Sequence, residues 1–326
     1  MRRREFIRLV ASAIAGWPFT ARAQQSTMPV IGFLAGGLER TGLSIITAYK
    51  KGLADVGYVE GKNVIIEYRW ANAQYDQLPT LAADLVRRQV AVIAADTPVA
   101  AIAAKQATTS IPIVFGLGSD PVRNGLVASL SRPGGNITGA TFFSNLLSAK
   151  RLDLFHRLVP NAAVIAVLLN PKNANVELER SQTEEAARAL GLQLVFLEAT
   201  NEHEIDAAME TLVQQHATAL LVSGDVLFYG RRSQIAELAL RYKIPTSCPF
   251  GDQSVAGCLM SYGANPAETQ RQAGNYVGRI LKGEKPSDLP VQQPTKFELV
   301  INLKIAKALG IDVPLGLSTA ADELIQ

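Results

Sequence analysis

Small and polar residues follow the apolar runs of this chain at points where a parallel sheet would present them to a ligand. In open α/β sheets, ligands bind beyond the carboxyl ends of the strands, where side chains and helix N-terminal amides face a common crevice. Each residue also has a plainer interpretation: Thr97, Asp120 and Asp225 could be N-caps, and Phe228 and Tyr262 could pack at the edge of the core. The argument therefore depends on their convergence. The candidate strand-end residues are Gly36, Asp96, Thr97, Ser119, Asp120, Asn170, Asp225, Phe228, Phe250, Asp252 and Tyr262.

Catalytic patterns are scarce in the sequence. Its histidines are His156, His203 and His216, and all three fall on predicted helix surfaces without Cys or Glu partners at the spacing of a zinc site. The G-x-S-x-G signature of serine hydrolases does not occur, and the glycines after the first strand match neither a dinucleotide loop nor a P-loop. We therefore expect no catalytic residues, no metal site, no cofactor and no enzymatic activity.

The elements that would position these residues alternate regularly along the chain. Short apolar runs alternate with segments of helical spacing, and this pattern is typical of parallel sheets covered by helices. The pattern restarts after 138–144, a short extended stretch suited to a hinge. The predicted strands are 29–35, 63–70, 90–95, 111–117, 164–169, 194–197, 219–223, 244–249, 258–262 and 297–301, and the predicted helices are 39–56, 76–88, 98–107, 121–130, 150–158, 175–190, 202–215, 231–242, 267–281 and 303–309.

The predicted fold is therefore α/β, with two doubly wound parallel-sheet lobes. A proline-rich connector at 286–294 leaves room for the chain to recross between the lobes. Lobes joined by several crossings would hinge around a cleft.

The first 23 residues have the pattern of an export signal. Arginines dominate the first eight residues, an apolar stretch at 9–19 follows, and Ala21-Arg22-Ala23 offers a cleavage site after Ala23. The paired arginines also fit the twin-arginine variant, although the general secretion route remains open. An amphipathic first helix would be broken by Gly16 and Pro18, and the apolar stretch is shorter than the roughly 20 residues that span a bilayer. We expect a periplasmic protein.

Removal of this leader changes the charge balance. The whole chain has 32 Lys and Arg against 29 Asp and Glu, a net charge of +3. The leader holds five of the arginines and Glu5, so the remaining chain has 27 basic and 28 acidic residues. The basic excess belongs to the leader, and no basic cluster remains that would indicate a nucleic-acid partner.

The two cysteines, Cys248 and Cys258, could pair in an oxidising compartment. If both lie in successive parallel strands whose starts are aligned, they are separated by roughly 13 Å along the sheet. A disulfide requires Cα atoms within about 7 Å. We therefore expect two free, buried thiols.

Several long motifs resemble those of one known family. They are GYVEGKN at 57–63, IEYRW at 66–70, AAKQAT at 103–108, IPIVF at 111–115, GLVASL at 125–130, RPGGN at 132–136, LMSYG at 259–263, LKG at 281–283 and FELVIN at 297–302. By these motifs the chain resembles the ABC-transporter substrate-binding proteins of the tryptophan/tyrosine type, over essentially all of the chain after the leader. The resemblance implies a type I periplasmic-binding-protein fold with three crossings, near 138–141, 262–265 and 286–294. It implies a first lobe of 28–140 plus 265–286 and a second of 141–264 plus 287–326.

The resemblance also implies a set of ligand-binding residues. An amino-acid ligand would need a carboxylate for its ammonium group, a role that Asp120 or Asp225 could fill, and Phe228 or Phe250 could stack on its apolar side chain. From the resemblance we would expect a glycine, as in many relatives, where this sequence has Asp96, and the extra carboxylate could narrow the pocket or favour a cationic group. The residues carried over by resemblance, together with the strand-end glycine, are Gly36, Thr97, Ser119, Asp120, Asn170, Asp225, Phe228 and Tyr262.

Three functions remain open from the sequence. The first is a monomeric solute-binding protein that delivers a small molecule, an aromatic amino acid being favoured, to the membrane permease of an ABC importer. The second is an exported sensor that presents its closed form to a receptor, and the third is an exported α/β enzyme, which the missing phosphate loop disfavours. A repressor of the same fold is excluded, since no DNA-binding helical domain precedes the first strand.

Overall fold

The computed structural model describes residues 28–39 and 43–326. The predicted export signal lies outside these residues. Two sheets, each covered by helices on both faces, form two lobes.

The first lobe is built on five parallel strands in the order β2-β1-β3-β4-β5. All five residues of β4 and of β5 are buried, as expected for parallel strands covered on both faces. The strands are β1 (Val30–Ala35), β2 (Ile65–Trp70), β3 (Val92–Ala95), β4 (Ile113–Leu117) and β5 (Ile137–Thr141), and the helices are α1 (Leu43–Asp55), α2 (Leu78–Arg87) and α3 (Pro98–Ala107), with a 3-10 turn at Tyr75–Gln77.

The second lobe contains seven strands in the order β12-β11-β10-β9-β8-β6-β7, and β11 runs antiparallel to β10. The chain reaches β11 by returning from the first lobe, which is why this strand reverses direction. The strands are β6 (Val164–Leu169), β7 (Gln193–Glu198), β8 (Ala219–Val222), β9 (Thr246–Cys248), β10 (Met260–Gly263), β11 (Glu298–Asn302) and β12 (Glu323–Ile325). The helices are α4 (Ser148–Leu158), α5 (Val176–Leu190), α6 (Glu202–Gln214), α7 (Val226–Gly230), α8 (Arg232–Arg241), α9 (Gly251–Val255), α11 (Leu303–Leu309) and α12 (Leu315–Ala320).

The chain crosses between the lobes three times. It leaves the first sheet after Thr141, through a 3-10 turn at Ser144–Leu147, and returns after β10 to form α10 (Pro266–Leu281) on the first lobe. It then runs beside β5, where Ala140 bridges to Gln292, before it enters β11. Three linkers side by side form a hinge of the kind expected from the sequence.

Helix α10 packs against α1 at two glycines. A Cβ added at Gly52 would lie 1.8 Å from the Arg271 carbonyl oxygen, and one added at Gly274 would lie 2.1 Å from the Tyr49 carbonyl oxygen. Backbone therefore meets backbone at this crossing. The contact attaches α10 to the first lobe, and α10 contributes Ala273, Tyr276, Val277 and Ile280 to the core on that face of the sheet.

One predicted helix is absent. Residues 121–130 form turns, because the Asp120 carboxylate accepts hydrogen bonds from the backbone amides of Val122 (2.9 Å) and Arg123 (3.2 Å), and Gly125 adopts a left-handed conformation with φ of 66°. A local side-chain acceptor competes here with helical hydrogen bonds. The stretch that we expected to be only a hinge strand also proves to contain β5, a full member of the first sheet.

The expectation of free thiols is wrong, because Cys248 and Cys258 form a disulfide with Cα atoms 6.4 Å apart. The expectation placed Cys258 at the start of a strand. Instead β10 starts at Met260, which pairs with Ser247, and the chain turns at Gly257 (φ of 121°) just before Cys258. Cys258 thus lies beside β9 and not farther along the sheet.

Candidate binding cleft

A cleft between the two lobes encloses about 830 Å³, including the part that opens to solvent. Both lobes and the hinge contribute to its walls, as a cleft that closes over a ligand requires. Its lining residues are Ile45, Tyr75, Asp96, Thr97, Pro98, Val99, Gly118, Phe142, Ser144, Asn173, Ala174, Asn175, Glu179, Gly224, Asp225, Val226, Tyr229, Phe250, Pro266 and Gln270.

One wall of the cleft is aromatic. The ring of Phe250 meets that of Phe142 at 5.5 Å and that of Tyr229 at 5.7 Å, both edge to face. Phe142 and Phe250 are buried, with Ala264 in the same small cluster. Rings held in this geometry offer a rigid apolar surface to a flat or apolar ligand group.

Asp225 is held by donors from both lobes. Its Oδ1 accepts from the Leu227 amide (2.9 Å) and from Asn170 Nδ2 (3.1 Å), and its Oδ2 accepts from Asn173 Nδ2 (2.8 Å). The Tyr75 hydroxyl, from the first lobe, lies 3.1 Å from both oxygens. Burial raises the pKa of Asp225, and these donors counteract the rise.

Asp96 follows β3 in the first lobe. Its Oδ1 accepts from the backbone amide of Gly36 at 2.8 Å. Burial raises the pKa of Asp96 to about 7, because this amide bond and the Thr97 hydroxyl beside it compensate only part of the lost hydration. A carboxyl group in this state changes its charge near neutral pH.

A third carboxyl group of the cleft lining, Glu179, is paired with a buried arginine. Its Oε1 accepts from Ser148 Oγ (2.9 Å) and lies 3.2 Å from Nη2 of Arg151, whose side chain is completely buried. Burial raises the pKa of Glu179 and lowers that of Arg151, while each group opposes the shift of the other. Arg151 therefore balances the charge of Glu179.

The structure brings two of the predicted site residues into the cleft lining, Thr97 and Asp225. Both are also N-caps, of α3 and α7. Gly36 and Asn170 do not line the cleft, but each donates a hydrogen bond to a residue that does: Gly36 to Asp96 and Asn170 to Asp225.

The other four predicted residues lie outside the lining. Ser119 accepts from Asn124 Nδ2, and Asp120 holds the turn that follows β4. Phe228 is fully buried in the core of the second lobe, and Tyr262 packs beside Phe297 at 6.3 Å. Phe250, the alternative stacking residue, is the one that lines the cleft.

Sequence reasoning missed several lining residues, chiefly Tyr75, Phe142, Asn173, Glu179 and Tyr229. Tyr75 lies in a 3-10 turn and Tyr229 within a short helix, and Phe142 follows β5, whose sequence ITGAT does not stand out as an apolar run. The strand-end rule could not find them.

Several contacts close the cleft by joining the two lobes directly. Lys172 Nζ lies 3.1 Å from Asp76 Oδ2, and Ser44 Oγ lies 3.3 Å from the Tyr229 hydroxyl. With the bond between Tyr75 and Asp225, these contacts hold the lobes together at the cleft mouth. The lobes are therefore in a closed arrangement.

Within the described part of the chain, no helix is both long and apolar enough to cross a membrane. In the same residues, no group of three or more His, Cys, Asp or Glu side chains is placed to hold a metal ion.

The chain is similar to proteins of known family and structure. The model of the family "ABC transporter substrate binding protein" matches residues 39–325. The tyrosine-binding protein of Clostridioides difficile is 30% identical over 263 residues, which cover 80% of this chain and 75% of that protein.

Solved structures share the fold. A conserved domain protein from Vibrio cholerae matches with a TM-score of 0.84 at 25% identity, over 91% of this chain and 100% of that one. An ABC domain from Streptococcus pneumoniae in complex with L-Trp matches with a TM-score of 0.82 at 24% identity, over 92% and 100%. The open, ligand-free form of a substrate-binding protein from Clostridium difficile matches with a TM-score of 0.63 at 26% identity, over 91% and 99%.

These matches confirm both the fold class and the resemblance that the sequence motifs indicated. The family match spans both lobes and the three crossings between them. The chain belongs to the family of ABC-transporter substrate-binding proteins.

Proposed function

We propose that this protein captures an amino acid, with an aromatic side chain favoured, in the cleft between its lobes and delivers it to the permease of an ABC importer. The observation that carries the proposal is the composition of the cleft. An aromatic wall of Phe142, Tyr229 and Phe250 stands next to carboxyl groups and the starts of long helices. The name of the 30% identical relative, a tyrosine-binding protein, supports the same ligand class.

Helix starts supply what an amino-acid carboxylate would need. Pro98 at the start of α3 and Pro266 at the start of α10 line the cleft, as does Asn175 just before α5. The two prolines carry no N–H, and the side chains of Thr97 and Asn265 already accept from the amides of Ala100 and Ala267. The amide left for a ligand at the start of α3 is that of Val99, which also lines the cleft. Backbone amides at helix N-termini bind anions, since they lack partners within the helix and carry the positive end of its dipole. A ligand carboxylate would be bound without a basic side chain.

Closure of the lobes is the mechanism of capture. The interlobe contacts of Tyr75, Lys172 and Tyr229 exist only when the cleft is shut, so a ligand held between the lobes adds its own contacts to the closed state. The chain also matches the open form of a relative less well (0.63) than it matches other structures at similar identity (0.84). Such a difference is consistent with a different angle between lobes. Ligand would shift the population toward the closed form.

Mass spectrometry of small molecules that co-purify with the protein is the decisive test. We expect an amino acid to be released on denaturation, and we expect calorimetry with that amino acid to show one binding site. Small-angle scattering should show a decrease in the radius of gyration when it is added to protein stripped of ligand. If no small molecule is released, and none of the amino acids alters heat or scattering, the proposal is refuted.

The proposal includes export and a monomeric state. Expression in a Gram-negative host should yield periplasmic protein that begins at Gln24, which N-terminal sequencing would show. Light scattering should give the mass of a single chain. Retention of the first 23 residues on protein in the cytoplasm would contradict the export part alone.

A further inference from the structure

Three carboxyl groups line the cleft, and their partners differ greatly. A carboxylate offers about four acceptor positions. Asp225 uses them on the Leu227 amide, Asn170, Asn173 and the Tyr75 hydroxyl. Asp225 is therefore already satisfied by the protein, and a ligand ammonium would have to displace one of these donors.

Glu179 is also satisfied. Arg151 and Ser148 donate to its Oε1, and the Gly224 amide is a further donor. Because Arg151 carries the opposite charge and is fully buried, Glu179 leaves no net negative charge at the wall of the cleft.

Asp96 has neither the cation that balances Glu179 nor the full set of four donors that surrounds Asp225. Its donors are the Gly36 amide, the neighbouring Thr97 hydroxyl and its own backbone amide, and no cation is among them. The described residues that line the cleft include no lysine, arginine or histidine. Asp120, which the sequence also offered as a partner for an ammonium group, lies outside the lining and is bound to its own turn.

We infer that Asp96 is the side chain that binds a cationic group of the ligand, and that Asp225 is a positioning residue that closes the cleft through Tyr75. This inference rests on the proposed function and names the side chain that recognises the ammonium group of its ligand. It assigns the two acids different roles: Asp96 sets which ligand is bound, and Asp225 sets how well the lobes close.

The titration of Asp96 supports this assignment. Its pKa is raised to about 7 by burial without a cation, so much of the protein without ligand holds a proton there at neutral pH. A cationic ligand would expel that proton, and its affinity should rise with pH through 7. The other ionisable groups among the described residues that line the cleft are Tyr75, Tyr229, Asp225 and Glu179. Burial raises the pKa of both tyrosines, so they stay neutral, and it also raises the pKa of the two acids.

The experiment compares three probes that share a phenol ring on a short chain and differ in their charged groups. L-tyrosine carries an ammonium and a carboxylate, tyramine carries only the ammonium, and 3-(4-hydroxyphenyl)propionate carries only the carboxylate. Calorimetry would measure each against the mature protein, Asp96→Asn and Asp225→Asn at pH 6 and pH 8. Asparagine keeps the size of the side chain and an oxygen for the Gly36 amide, so the fold should persist.

We expect Asp96→Asn to bind tyramine about 10- to 100-fold more weakly, the range for loss of a hydrogen bond to a charged group. Asp96→Asn should bind the propionate no more weakly than the wild type does. The difference in tyramine affinity between pH 6 and pH 8 should disappear in this variant. Asp225→Asn should weaken L-tyrosine and tyramine by similar factors and should retain the pH dependence, because Asp96 is intact.

Several results would overturn the inference. They are tyramine affinity within about threefold of wild type in Asp96→Asn, a pH dependence abolished by Asp225→Asn and not by Asp96→Asn, and binding of none of the ammonium probes to the wild type. Preference for the propionate would also overturn it, but solute capture would stand. Failure of the proposed function is separate, since it requires that no co-purifying molecule and no amino acid binds.

Discussion

Replacement of Tyr75 by phenylalanine should open the cleft. Its hydroxyl, from the first lobe, lies 3.1 Å from each carboxylate oxygen of Asp225 in the second lobe, and both residues are buried. A buried hydrogen bond to a charged group contributes about 1.5–3 kcal/mol. In the open form water would replace the partner, so the loss falls on the closed form alone.

The effect on affinity follows from that free energy. If the ligand is held only by the closed form, loss of about 1.5–3 kcal/mol weakens its binding by about 10- to 150-fold. Calorimetry with L-tyrosine would measure the affinity, and small-angle scattering would measure the fraction of closed protein. A double-mutant cycle with Asp225→Asn isolates the pair from any direct contact of Tyr75 with the ligand.

Tyr68→Phe is the matched control. Its hydroxyl also donates to a carboxylate, Glu60, at 3.2 Å, but both residues belong to the first lobe. This variant should bind like the wild type. If Tyr75→Phe binds within twofold of the wild type and scatters identically, the reasoning about closure is refuted.

The remaining predictions concern stability. Arg151→Met should lower the free energy of unfolding in urea by about 3–5 kcal/mol, because it leaves the buried Glu179 without its cation. Adding Glu179→Gln to this variant should restore most of the loss. A double variant as unstable as Arg151→Met alone would contradict this account. Gly52→Ala should lower the free energy of unfolding by about 1–3 kcal/mol, because the added Cβ would meet the backbone of α10. Gly316→Ala is the control and should not destabilise the protein, because a Cβ there meets open space. Equal Tm values for the two variants would argue against the close helix contact. The pKa of Asp96 is raised in the folded protein, so the folded state binds a proton there that the unfolded chain has already lost above about pH 4. Between pH 4 and 7 the free energy of unfolding of the wild type should therefore fall with rising pH relative to that of Asp96→Asn. Denaturation at several pH values would test this, and parallel curves for the two proteins would contradict it.

The alternation of apolar runs and helical spacing predicted the fold well, because burial on both faces leaves long apolar strands that stand out. The bounds 98–107 and 164–169 agree with α3 and β6. The errors have local causes: at 121–130 a side-chain acceptor replaces helical hydrogen bonds, and at Gly257 one residue with positive φ brings Cys258 beside Cys248. Neither the side-chain bond nor the backbone reversal changes the apolar pattern.

The cleft was less predictable than the fold. The ends of the strands can be predicted from the sequence, and they led to Asp96, Thr97 and Asp225, which all line the cleft. Tyr75 and Glu179 belong to elements of different lobes, and they share the cleft only because three crossings set how the lobes face each other. That orientation is a property of the whole chain.

The return of the chain to the first lobe also matters while the protein is being made. One face of the first sheet is covered by α10, whose Ala273, Tyr276, Val277 and Ile280 emerge long after the strands that they cover. Until about residue 281 leaves the ribosome, only α1 covers that face, and the part that α10 will cover remains exposed. The first lobe cannot finish folding as the N-terminal half of the chain appears, so a chain cut short before α10 would expose a surface that favours aggregation.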